Sequence, residues 1–333
     1  MKSSVEIGTN EFGQAVYDSV ITFSNSILDR IGHLHIEDSV YSALLPNNKA
    51  WTDAYNKVKS NYKTLPADGG AAKQRYYSQL ALVKNLVFRK VVTQPESEDS
   101  LVSTTGDKFK SPGYLFTGAI PVNLSNGRAY VTDSLRYKAA ETWQKPIILE
   151  AENSNYGRKY DFASLFVRSS LGSAFDKLVS EDKYLLVEPT TVNTNMSAVT
   201  FPIPNTLSGK YRIYCVMIPT NIVADATPKA NKVKFYFTYL TANGAAVVDA
   251  PVDATNKLLA PGKVGGIFTS ETDKISKMFV TQFEFPYCNI LEAGDPSSKI
   301  TIKLKVENAV KINETVKFSR VMRIDYIILE PVQ

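Results

Sequence analysis

The sequence predicts two domains: an N-terminal α+β fold over residues 12–138 and a C-terminal all-β antiparallel jelly-roll sandwich over residues 147–333, with residues 139–146 as the hinge. Three observations predict this. Apolar residues recur at helical spacing before Thr93 and at strand spacing after Ile147. Pro146 disfavours helix at Lys145, where the periodicity changes. At 333 residues and 44% hydrophobic composition, the chain can build about two cores at roughly 150 residues each.

Taken in order, Val16, Val20, Phe23, Ile27 and Ile31 are spaced to share one helical face, with Gly32 as the stop. Trp51, Ala54, Tyr55, Val58, Tyr62 and Leu65 repeat that geometry after Asn47 and Asn48, either of which can cap the first turn. A third helix is expected over 74–88, with Tyr76, Leu80, Val83 and Val87 on one side. After Thr93 the period becomes two, ending in a hairpin over 122–131 around Asn126-Gly127. Beyond Ile147, strands are expected at 201–203, 211–218, 233–240, 245–248, 278–285, 299–306 and 322–329, with a short helix near 173–179. Residues 299–306 alternate, placing Ile300, Ile302, Leu304 and Val306 on a buried face and Lys299, Thr301, Lys303 and Lys305 on a wet one. The lysines there are expected to guard a sheet edge.

Composition excludes several functions. The net charge of +5 comes without the clustered Lys/Arg that nucleic-acid binding requires. Two His and two Cys leave little for zinc, thiol or histidine chemistry, although carboxylate-only enzymes remain open. Apolar stretches such as 147–149 and 326–329 fall far short of the roughly 18 residues of a membrane span. Residues 1–11 carry no apolar h-region, so they do not read as a signal peptide, which equally fits a chain that begins after a removed one. G-x-S-x-G, H-E-x-x-H, Walker A and G-x-G-x-x-G are all absent, and no nucleophile stands out.

Three stretches of the first half resemble the fasciclin-like (FAS1) family: residues 40–51 (VYSALLPNNKAW), 82–92 (LVKNLVFRKVV) and 125–135 (SNGRAYVTDSL). The resemblance implies a wedge of short helices on a twisted sheet, with Trp51 in the core, and a role in adhesion to a surface protein or matrix partner. Phe88-Arg89 or Arg89-Lys90 stands where adhesive members often carry Tyr-His, so an adhesion mode using that pair is not carried over. The second half resembles carbohydrate-binding, galactose-binding-like sandwiches through residues 148–153 (ILEAEN), 199–214 (VTFPIPNTLSGKYRIY) and 323–329 (RIDYIIL). The combination is similar to exported Gram-negative surface lipoproteins. It implies an extracytoplasmic, non-catalytic cell-surface adhesion or ligand-binding protein with a surface-protein, matrix or glycan ligand, or alternatively the glycan-binding component of a polysaccharide capture system acting through the sandwich. Either way it implies no nucleic acid and a membrane link only through a lipid anchor upstream of Met1.

In the sandwiches that the second half resembles, acidic residues of the opening and closing strands hold a structural calcium, which implies Glu150, Glu152 and Asp325 here. Alternation permits Glu150 and Glu152 on one face, while Asp325 has the alternative of accepting hydrogen bonds at a strand end. The same carboxylates offer a glycosidase pair only if a cleft separates them. Sugar binding calls for an aromatic platform, and since neither Trp51 nor Trp143 lies in the sandwich, Tyr156, Tyr160 and Tyr287 near turns are the candidates. His33 and His35 would share one side of a strand with Glu37 as metal ligands, against two semi-exposed histidines after a helix end. Cys215 shares a face with Tyr211, Ile213 and Met217, favouring a buried thiol, and its pairing with Cys288 stays open. The seven basic residues over 299–323 offer a patch for acidic glycans or a membrane surface, against an ordinary solvated face. Asn123, Asn195 and Asn313 fit the glycosylation sequon.

Overall fold

The computed structural model describes residues 2–21, 25–34, 36–190, 196–224 and 226–332. The chain divides into two compact units, one of residues 1–57 and 79–142, the other of residues 58–78 and 143–333.

In the first unit, β1 (Lys2–Thr9) and β2 (Ala15–Ile21) form an antiparallel hairpin, and of the helix expected over 16–31 only α1 (Ser26–Ile31) is present among the described residues. The helix expected from Val16 is therefore corrected. A spacing of four is even, so Val16 and Val20 share a face of a strand as readily as of a helix, and Val16, Tyr17, Val20 and Ile21 favour the strand. β3 (Tyr41–Pro46) pairs in parallel with β8 (Gly127–Thr132), flanked by β4 (Val87–Phe88) and β7 (Ile120–Leu124) in the order β4-β3-β8-β7. The β7–β8 turn is the expected Asn126-Gly127 hairpin, and a Cβ at Gly127 would collide with the Tyr41 carbonyl. β5 (Ser100–Val102) and β6 (Lys108–Lys110) add a small ribbon beside α4 (Gly113–Phe116). Phe88, Phe109, Phe116 and Tyr130 pack ring against ring in this unit's core.

Helix α2 (Asn48–Val58) is capped by Asn47, whose Oδ1 accepts the Ala50 N–H at 2.8 Å. It buries Ala50, Ala54 and Val58, leaving Trp51 only half-buried rather than in the core. Helix α3 (Gly70–Val83) ends earlier than expected, because Val87 and Phe88 belong to β4. It buries Tyr77, Ala81 and Leu82 and exposes Tyr76, a face rotated from the one the spacing suggested.

The second unit is a sandwich. One sheet joins β11 (Ala163–Ser169), β12 (Lys183–Pro189), β21 (Met322–Pro331), β14 (Gly209–Met217) and β18 (Ser276–Phe285) in that order, with β9 (Ile147–Glu150) also on β21. The other runs β10 (Lys159–Asp161), β13 (Ala198–Pro202), β19 (Lys303–Asn308), β15 (Ala230–Leu240), β16 (Ala246–Pro251), with β17 (Phe268–Thr269) and β20 (Phe318–Ser319) also on β15. Their inner faces meet in one core, with Ile213, Cys215, Met217, Ile324 and Leu329 from the first sheet facing Phe201, Val233, Phe235, Phe237 and Leu304 from the second. Apart from the two-residue β20, which runs parallel to β15, the pairings are antiparallel.

Ile300, Ile302, Leu304 and Val306 are buried as their alternation predicts, although residues 297–299 form a 3-10 turn and the strand starts at Lys303. The edge-guarding role of the lysines is corrected: β19 lies between β13 and β15, hydrogen-bonded on both sides. The helix expected near 173–179 is a series of turns instead. Ser173 Oγ donates to the Ser170 carbonyl and accepts the Phe175 N–H, drawing the backbone away from helix. Phe175 and Val179 from this segment join Tyr184, Leu186, Ile218 and Ile222 in a second, smaller core outside β12.

Candidate functional site: an aromatic platform on the outer sandwich face

The acidic residues of the opening and closing strands come together without forming a cage. β9 ends at Glu150, so strand alternation no longer governs Glu152. A register shift between β14 and β21 at Cys215/Met217 accompanies the burial of both Asp325 and its inward neighbour Ile324. Ser180 bridges the group: its N–H donates to Asp325 Oδ1 at 3.1 Å and its hydroxyl to Glu150 Oε1 at 2.8 Å. Burial, then repulsion from Glu150 and Glu152, pushes the Asp325 carboxyl up to about 7. Burial also raises Glu150 and Glu152, each of which keeps a buried Oε2 without a hydrogen bond. Among the described residues, no three His, Cys, Asp or Glu side chains are grouped to hold a metal ion.

The three candidate tyrosines have different surroundings. Tyr156 packs against the sandwich core, Tyr160 is exposed on β10, and the Tyr287 hydroxyl donates to the Ala242 carbonyl at 2.8 Å. His33 is exposed and His35 lies outside the described residues, as does Asn195; Asn123 and Asn313 are exposed. Cys215 and Cys288 are both free thiols. Of the basic residues near the C-terminus, Lys299 pairs with Asp295, Lys305 with Asp161, and Arg323 is half-buried beside Tyr184.

A cleft of about 530 Å³ holds Lys73, Tyr77, Cys288, Asp295 and Lys299. Most of its charges are matched within the chain: Lys73 and Tyr77 both bind the Glu292 carboxylate, at 3.0 and 2.9 Å, and Lys299 pairs with Asp295, while Asp68 also lines it.

The outer face of the β14–β18 pair is different. Tyr211, Ile213, Cys215 and Met217 point inward, which sends Arg212, Tyr214 and Val216 outward. On β18 the register shifts at Val280–Thr281, opposite Ile213/Tyr214. This bulge lets Phe279 and Gln282 share the outer face although they are three residues apart. Asn256, from the loop after β16, clamps the bulge by donating to the Phe279 carbonyl at 2.6 Å and the Val280 carbonyl at 3.1 Å, while its own carbonyl accepts the Thr281 hydroxyl at 2.8 Å. That loop is itself held by Asp253, whose Oδ1 accepts from the Thr255 and Lys257 amides. The Phe279 ring is 36% exposed and lies 5.4 Å from that of Tyr214, with Lys277 Nζ 4.4 Å over the Tyr214 ring.

Phe279 stands between two clefts. One, about 440 Å³, is lined by Asn256, Phe268, Glu271, Ser276 and Lys277; the other, about 540 Å³, by Arg212, Thr255, Lys257, Leu258 and Gln282. Both fall within the usual size range for a small-ligand site. An apolar ring flanked by hydroxyl, amide and cationic side chains can stack on the C–H face of a sugar and read its hydroxyls. Sequence reasoning passed over this site, although the outward Arg212-x-Tyr214 pattern on β14 was a visible signal.

No protein-family model matches the chain, and no curated protein matches it. Solved structures similar to it include a carbohydrate esterase from the Shiga toxin-encoding bacteriophage phi24B, at 13% identity over 56% of this chain and 98% of that one, with a TM-score of 0.27. A xylan-binding domain of carbohydrate-binding family 22 matches at 14% identity over 55% and 92%, with a TM-score of 0.29. A family 35 carbohydrate-binding module from Clostridium thermocellum matches at 12% over 56% and 99%, with a TM-score of 0.25. Among the described residues, no helix is long and apolar enough to cross a membrane.

Proposed function

We propose that this is a non-catalytic, extracytoplasmic surface protein whose sandwich captures a glycan on the outer face of β14 and β18. The observation that carries this reading is the exposed Phe279, backed by the half-buried Tyr214 ring and set between two open clefts with polar linings. Phe279→Ala should abolish saturable binding on a glycan array without lowering the melting temperature appreciably, since the ring is partly exposed. If Tyr160→Ala removes binding and Phe279→Ala does not, the site belongs on β10. An array blank at high protein concentration, with and without calcium, would sink the reading, and so would turnover of chromogenic glycosides abolished by Glu150→Gln.

Two finer parts belong to the same proposal. Calcium binding by Glu150, Glu152 and Asp325 is supported by their hard oxygen donors and the two orphaned Oε2 atoms, although further oxygens would have to complete the shell. A rise in melting temperature on adding calcium to chelator-treated protein is the expected result. The first unit's fasciclin-like, adhesive role is supported by its three sequence blocks. Immobilised protein should then retain matrix-coated beads, and retention abolished entirely by free glycan would leave that unit without an adhesive part.

A further inference from the structure

The charges around the platform are unevenly satisfied. Lys277 and Glu330 neutralise one another at 2.5 Å. Glu330 is also the residue directly across from Arg212 in the β14–β21 register, so its engagement with Lys277 leaves the Arg212 guanidinium without its nearest natural partner. Arg212 is exposed and makes no ion pair or side-chain hydrogen bond among the described residues. It lines the 540 Å³ cleft together with Lys257, Thr255, Asn256 and Gln282, and no Asp or Glu lines that cleft. The nearby Asp253 accepts the Thr255 and Lys257 amides and the Thr255 hydroxyl on Oδ1, and its charge acts on Lys257, so among the described residues Arg212 is the cation of this cleft left without an acidic partner. The result is an unpaired guanidinium and a second cation on one side of an aromatic face. The cleft on the other side of Phe279 is lined by both Glu271 and Lys277 and carries no such bias.

From this we infer that the glycan is acidic: a polysaccharide whose sugar ring stacks on Phe279 while its carboxylate takes the planar fork of Arg212. The inference rests on the glycan-binding reading above. A guanidinium presents parallel N–H donors that match a carboxylate in two hydrogen bonds, stronger and more directional than a lone ammonium contact. Gln282 and Thr255, beside it in the cleft, supply donors and acceptors for neighbouring hydroxyls.

Three polymers test it on the intact protein: polygalacturonate, the same polymer fully methyl-esterified, and dextran sulfate. Polygalacturonate should bind and the ester should bind about tenfold more weakly or worse, a difference that one charge-assisted contact accounts for. Arg212→Gln should reduce polygalacturonate binding to the level of the ester, and Arg212→Lys should restore only part of it. Because Arg212 is exposed, both variants should keep the wild-type circular dichroism and melting temperature. Binding of polygalacturonate should weaken between low and 1 M salt. Equal, Phe279-dependent binding of acid and ester, indifferent to Arg212→Gln, overturns the acidic-ligand inference and leaves the platform standing. Preference for dextran sulfate over polygalacturonate overturns the carboxylate in favour of a sulfate. Polygalacturonate binding unaffected by Phe279→Ala overturns the platform itself.

Discussion

Asp325 makes a prediction at the scale of one side chain. A buried carboxyl whose pKa in the fold is raised to about 7 binds its proton more tightly when folded than when unfolded. It therefore contributes stability below the ordinary carboxylate range, near 4, and that contribution is lost as the pH rises through about 7. In chelator-treated protein the melting temperature should fall across that window, and Asp325→Asn should flatten the fall. A profile that rises from pH 4 to 7 in the wild type would mean that the three carboxylates are stabilised as anions. The two thiols make a second prediction. Burial pushes both Cys215 and Cys288 up, Cys215 without any compensating hydrogen bond and Cys288 with a contact to the Thr64 hydroxyl at 3.5 Å. At neutral pH neither should react quickly with a thiol reagent. Cys288, half-buried in a cleft, should be labelled first, and Cys215 only on unfolding, which mass spectrometry of the labelled peptides will resolve.

At the scale of an element, the platform depends on the bulge in β18 and on the loop that holds it. Asn256 combines a left-handed backbone, φ 64°, with two side-chain bonds to the bulged strand. Asn256→Ala loses both bonds and is strained at that φ, at a cost of about 1–3 kcal/mol in stability. Asn256→Gly relieves the strain but not the lost bonds, so denaturant titration should rank it between the wild type and the alanine variant, with glycan binding weakened in both. The bulge also explains why this site was hard to read. Counting by two from Met278, which is buried, puts Gln282 inward, and only pairing against β14 turns it outward with Phe279. Residues 299–306 were legible because burial on one face and water on the other leave a local imprint of period two. Val16 and Val20 misled because their even spacing suits two elements, and the partner that decides between them, β1, lies across a turn. The Ser180 bridge between Glu150 and Asp325 was not legible, because it comes from the end of a turn segment far from both in sequence.

At the scale of the molecule, the sandwich depends on its central aromatic core. Phe237 is fully buried and its ring packs against those of Tyr239, Phe283 and Phe285, so Phe237→Ala should cost about 3–5 kcal/mol in equilibrium unfolding. The second unit also draws on residues far upstream: the Ser208 amide and hydroxyl bond to the Asn61 and Lys63 carbonyls, and the Cys288 amide to that of Lys63. A fragment cut at Pro146 should therefore melt well below the intact chain, losing about 1 kcal/mol or more for every donor that remains buried and unmatched. Equal melting of the fragment would mean that these bonds are exchanged freely for water. The pairing of β9 with β21 has its own consequence. The opening strand of the sandwich waits for a neighbour almost the whole length of the unit away, so during synthesis this layer cannot close until Met322–Pro331 has left the ribosome. Until then β9 offers bare amides and carbonyls to any passing strand, which makes the nascent chain a client for chaperones rather than a body that matures piece by piece.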